Sequence, residues 1–94
     1  MTFLPVDQEK FPALALGFRA LAQAGTMPAV LNAANEVAVE AFRQGRIRFT
    51  RIAPLVRQVM DLHQPAALES LEPALQADRW ARGQAQKLSE HERD

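Results

Sequence analysis

Apolar residues recur along this chain at helical spacing, in four or five blocks separated by glycine, proline and polar breaks. In the first block, Phe11, Leu14, Phe18 and Leu21 fall on one stripe. Pro12 suits a first helical turn, where its missing N–H leaves no donor unsatisfied. The pattern predicts a helix from Phe11 or Pro12 to Ala24, with Gly25 at the position where a left-handed cap is wanted. Gly17 weakens this helix and leaves room for close packing. The second block starts near Thr26 or Pro28 and runs to Gln44, with Gly45 as its stop. Val30, Leu31, Ala34, Val37, Ala38, Ala41 and Phe42 cover a wide arc, so this helix should be touched on more than one side and be central. Asn32, Asn35, Glu36, Val39 and Arg43 fall opposite.

The remaining blocks are shorter. Arg46–Phe49 reads as an extended link with Ile47 and Phe49 on one side. Thr50 is a good N-cap for a third helix over 51–62, with Ile52, Leu55, Val56 and Val59 buried and Pro54 tolerable in the first turn. A break surrounds Pro65. Ser70 then caps a short helix through Ala77, and Asp78 caps a last one from Arg79 to about Leu88, with Trp80, Ala81, Gln84 and Leu88 as a narrow seam. No strand alternation is long enough to build a sheet. The fold class expected is all-α, a compact bundle of four to five short helices over 11–88. Ahead of it, residues 1–10 read as an extended arm, because Pro5 between Phe3, Leu4 and Val6 argues against a central strand. Such an arm pins onto this core or onto a neighbouring domain. Behind it, 89–94 is a charged tail expected to fray.

Composition narrows the picture. Ninety-four residues make one domain with a modest core, and a 48% hydrophobic fraction argues against disorder. Eleven basic and eleven acidic residues leave no net charge, hence no global attraction to nucleic acid or anionic membrane and little repulsion between copies. Cysteine is absent, which removes disulfides, thiolate nucleophiles and cysteine-ligated zinc. A small domain without staples fits a reducing cytosol, and a cytoplasmic location is expected. The first residues do not read as a signal peptide, and no apolar run approaches the ~20 residues of a bilayer span.

Candidate chemistry is sparse. His63 and His91 are the only imidazoles, and neither has a partner at metal-ligand spacing. They read as ordinary surface or helix-end residues. Ser89-x-His91 has no buried orienting carboxylate and sits in the predicted tail. The four glycines are isolated and follow no strand, so they build no phosphate-cradling loop. Arg43, Arg46, Arg48, Arg51 and Arg57 run without an intervening carboxylate. That run reads either as an anion or nucleic-acid patch or as complements to a helix C-terminus and to a partner's acidic groups. Balanced charge and few aromatics favour the second.

The unusual local feature is Asn32-Ala33-Ala34-Asn35-Glu36, with two asparagines and a glutamate at i, i+3 and i+4. Asparagine is a middling helix former because its amide competes for backbone partners, so two inside a central helix call for a reason. Three readings stand: a metal or substrate ligand at Glu36, a solvated face, or amides that hydrogen-bond the backbone of a docked segment. One carboxylate is too few for a divalent cation, which favours the third. Asn32, Asn35 and Glu36 are therefore the candidate interdomain residues. No catalytic, cofactor-binding or metal-binding residue is assigned.

At this motif the chain resembles a known family, the C-terminal helical domain of 1-deoxy-D-xylulose 5-phosphate reductoisomerase. The similarity runs through Phe11-Pro12, Gly25-Thr26, Ala29–Glu36, Ala38-Val39, Ala41-Phe42, Gly45–Phe49 and Ile52, with a weaker echo at Asp78–Arg82. It covers the chain from about Thr2 to Leu88, and Leu31–Glu36 followed by Ile47-Arg48-Phe49 is its most specific part. The resemblance implies a parent enzyme that rearranges its substrate and reduces the product with NADPH, assisted by Mg or Mn, to give 2-C-methyl-D-erythritol 4-phosphate in non-mevalonate isoprenoid synthesis. It also implies that the NADPH-binding and metal-binding catalytic domains precede this segment, are its partners, and own the metal carboxylates. No residue here inherits those roles. An excised piece, a natural fragment and a stand-alone relative all fit the sequence. In an excised piece, Phe3, Leu4 and Val6 are candidates for an uncovered docking surface, and a homodimer through it is plausible. A stand-alone helical protein-interaction module is the alternative function.

Overall fold

The computed structural model describes residues 12–63 and 71–91, and every regular element among them is helical. Helix α1 spans Pro12–Gln23, α2 Met27–Arg43, α3 Ile52–Leu62 and α4 Leu71–His91, with one 3-10 turn at Phe49–Arg51 before α3. The described residues form an all-α bundle of four helices with no strand. The arm at 1–10, Phe11, the break around Pro65, Ser70 and residues 92–94 lie outside the described residues.

Helix α2 is the hub. Met27, Val30, Ala33, Ala34, Val37, Ala38 and Ala41 are buried, and α2 packs against each of the other three helices. Its contact with α4 is the most extensive in the bundle, and small residues explain how α4 approaches. Ala77, Ala81, Ala85 and Ser89, spaced four apart, are all buried. Such a row lets helix backbones come close, and the short side chains fill the gap without strain. Helix α3 adds Leu55, Val56, Val59 and Met60. Phe42, placed in the buried arc from its spacing, lies at the rim with 40% exposure, its ring edge-on to Phe49 at 5.6 Å.

The turns follow their sequence signals. Gly45, at φ +76, follows α2, and the Gly45 and Arg46 amides donate to the Phe42 and Ala41 carbonyls, both at 2.9 Å. That is the Schellman closure, which needs a left-handed residue at this position. Between α1 and α2 the left-handed Gly25 is joined by Ala24 at φ 55, a conformation an alanine adopts at a cost.

Several expectations are corrected. The stripe Leu14, Phe18, Leu21 faces outward, at 53%, 41% and 72% exposure, while Leu16 and Ala20 enter the core. Helical spacing offers both faces, and the position of α2 and α3 selects the smaller one. Gly17 lies on the open side, and a Cβ there would meet nothing within 4 Å, so close packing does not require it. Phe49 is 70% exposed while Ile47 is buried. The backbone turns into the 3-10 helix at Phe49, so the two side chains part. Thr50 lies inside that turn, and Arg51 holds the N-cap position of α3 with no side-chain capping hydrogen bond. The two short helices expected around Asp78 are one, α4. Asp78 gives its carboxylate to Arg82 one turn on, at 2.8 Å, instead of capping a helix start. Helix α4 also continues past Leu88 to His91 with Ser89 fully buried, so the segment from Ser89 to His91 is helix, not tail.

Candidate functional site

The three interdomain candidates all sit on the exposed side of α2, but the structure divides them. Asn32 and Asn35 border a groove of about 280 Å³ between α1, α2 and α3, floored by Leu16, Leu31, Ile52 and Val56. Among the described residues their amides meet no hydrogen-bond partner. An asparagine amide offers two donors and two acceptor sites. The groove therefore has an apolar floor with an amide edge.

Glu36 turns the other way, toward α4, and accepts a hydrogen bond from Arg82. Arg82 also donates to Asp78, and these two carboxylates, Asp78 first, hold its guanidinium pKa above the ordinary value. The exposed Arg82–Glu36 pair links α4 to α2, while the part-buried Arg82–Asp78 pair lies within α4. Among the described residues no group of three or more His, Cys, Asp or Glu side chains converges as a metal needs.

His63 is more than a helix end. It caps α3, and its Nε2 shares a 2.7 Å hydrogen bond with the Thr26 hydroxyl at the start of α2. Its ring lies 5.2 Å from that of Trp80 on α4. One imidazole thus bridges three helices, and burial lowers its pKa. The signal missed in the sequence was distance, since Thr26 and Trp80 are remote from His63 along the chain. Ser89 is likewise structural. Its hydroxyl donates to the Gln86 carbonyl at 2.8 Å and accepts from Arg46 at 3.3 Å.

The arginine run is dispersed. Arg43 pairs with Glu40, and Arg46 reaches Gln44 and Ser89. Arg57 lines a second cleft, of about 320 Å³, with Arg19 and Thr50. Arg19 is already tied to Asp61 at 2.6 Å, linking α1 to α3. No helix among the described residues is long and apolar enough to cross a membrane.

Comparisons with known proteins add to this geometry. Residues 1–84 match the family described as DXP reductoisomerase C-terminal domain. The 1-deoxy-D-xylulose 5-phosphate reductoisomerase of Citrifermentans bemidjiense is 53% identical over 88 residues, covering 94% of this chain and 23% of its own length. The enzyme of that name from Thermomicrobium roseum is 53% identical over 89 residues, with the same coverage of each. A solved structure of 1-deoxy-D-xylulose 5-phosphate reductoisomerase from Zymomonas mobilis, in complex with NADPH, aligns at a TM-score of 0.83 and 44% identity. It covers 96% of this chain and 24% of that one. The chain spans about a quarter of the length of the relatives it matches.

Proposed function

Because the chain belongs to the DXP reductoisomerase C-terminal domain family, we propose that it serves as the non-catalytic helical scaffold of such an enzyme. The reaction it supports is the NADPH-dependent rearrangement and reduction of 1-deoxy-D-xylulose 5-phosphate to 2-C-methyl-D-erythritol 4-phosphate, in isoprenoid synthesis in the cytoplasm. NADPH and a divalent Mg or Mn ion belong to the preceding domains. Among the described residues no three His, Cys, Asp or Glu side chains converge as a metal needs, and the carboxylates of Glu36 and Asp78 are occupied by Arg82. The role of this chain is to pack against the catalytic domain and hold its architecture.

The observation that carries this reading is the Asn32–Asn35 edge of the α1–α2–α3 groove, two amides that no described residue satisfies, set beside an apolar floor. Amides so placed would fix the register of a docked backbone segment. Glu36 faces away from this edge and links α2 to α4 through an exposed ion pair with Arg82. The test is an assay of the isolated chain with substrate, NADPH and Mg²⁺, in which no turnover is expected. Measurable turnover would sink the scaffold role. In the full-length enzyme, Asn32→Ala should weaken thermal stability or domain packing more than metal affinity. The reverse order would reassign the face to a ligand.

A further inference from the structure

We propose that the cleft between α1 and α3 is a site for a phosphoryl group, held by Arg19, Arg57 and the Thr50 hydroxyl. The cleft, of about 320 Å³, is at the small end of ligand pockets, which run from roughly 300 to 1,000 Å³. Its polar lining is confined to those three side chains, and the rest is small and apolar, from Ala15 and Leu16 on α1 to Ala53 and Pro54 on α3. No carboxylate lines it, although the chain as a whole is charge-balanced. Asp61 stands one turn beyond Arg57 on α3, at the spacing of an intrahelical ion pair. Its Oδ1 is taken instead by Arg19 of α1, at 2.6 Å. Arg57 is thereby left exposed, with no hydrogen bond or ion pair among the described residues, and the same holds for the Thr50 hydroxyl.

Arg19 supplies a fixed wall. Its Nε donates to Gln23 at 3.2 Å and its Nη1 to Asp61 at 2.6 Å, which leaves Nη2 uncommitted among the described residues. A guanidinium already held by two partners loses little freedom when it takes a third. Arg57 and Thr50 add donors that have no bond to break first. The cleft opens at the start of α3, whose first turn carries no acidic residue to offset the positive end of the helix. Donors and positive charge without a lining carboxylate repel a cation and select an anion. Two forked guanidiniums with a hydroxyl between chain segments suit the several oxygens of a phosphoryl group better than the two of a carboxylate. Asp61 offsets the charge of Arg19, so the attraction is modest, and two charge-assisted hydrogen bonds place the dissociation constant on the order of millimolar. The apolar walls leave room for a small organic body, so free phosphate and a phosphomonoester share this chemistry.

The test follows the backbone amides of the whole chain by NMR while inorganic phosphate or phenyl phosphate is added at constant ionic strength. Saturable shifts centred on residues 15–19 and 50–57 are expected, with a millimolar midpoint. Arg57→Gln should weaken binding by about tenfold, the loss of one charge-assisted hydrogen bond, and Thr50→Ala by less. Arg43→Gln removes the same charge from α2, outside the cleft, and should leave the midpoint unchanged. Arg57 and Thr50 are exposed, so circular dichroism of both variants should match that of the parent chain. A lower midpoint for phenyl phosphate assigns the site to phosphomonoesters, and an equal or higher one assigns it to free phosphate. Shifts that do not saturate, that acetate reproduces at the same midpoint, or that Arg43→Gln weakens as much as Arg57→Gln does would overturn the site. The scaffold reading does not depend on any of these results.

Discussion

Burial lowers the pKa of His63 below its ordinary 6.5, and this ties the stability of the bundle to pH. The folded state prefers the neutral imidazole, so the unfolded chain binds the proton more readily as pH falls through 6.5 and below. The stabilisation is complete above that value and is lost on acidification. The melting temperature should therefore fall between pH 7.5 and pH 5.5, and His63→Gln should flatten that dependence. An unchanged slope in the variant would free His63 of the role. Ala24 carries a different cost. Its left-handed φ of 55 disfavours a side chain, so Ala24→Gly should stabilise by up to about 1 kcal/mol, after the extra entropy glycine loses on folding. The shift in urea midpoint measures it. Neither feature could be read from neighbouring residues. The His63 contacts come from two other helices, and Gly25 alone was a sufficient turn signal for its stretch.

At the scale of elements, the row Ala77–Ala81–Ala85–Ser89 decides how closely α4 sits. Ala81→Leu would force extra volume into a filled gap and should cost roughly 1–3 kcal/mol in denaturant unfolding. A neutral result would mean that α4 is loosely held. This row also shows what the sequence could and could not say. Helices α1 and α2 were legible because Pro12, Gly25 and Gly45 punctuate them through backbone physics alone. Helix α4 was not, since Asp78 is as good a cap as it is an i,i+4 partner for Arg82, and only the continuous alanine row distinguishes the two. Alanine carries little hydrophobic signal, so the narrow seam around Trp80 appeared weaker than it is. The α1 stripe failed for another reason. Hydrophobic periodicity identifies an apolar face but not what covers it, and an outward apolar face looks like core.

For the whole molecule, the same ambiguity becomes the functional statement. The motif Asn32–Glu36 was legible as unusual, and the structure splits it into an amide edge on a groove and an exposed ion pair with Arg82. The bundle so assembled has a complete interior, with no buried side-chain nitrogen or oxygen left without a hydrogen bond among the described residues. Its exposed apolar side chains include Leu14 and Leu21 on α1, and Asn32 and Asn35 border a groove beside it. If the proposed scaffold role holds, its effect should appear in the activity of the enzyme it completes. The most direct measurement compares a relative lacking its matching segment, the same protein with this chain fused in that place, and this chain alone, each assayed for substrate-dependent NADPH oxidation. The account predicts turnover in the fusion only. Full activity in the shortened relative, or any turnover by this chain alone, would contradict it.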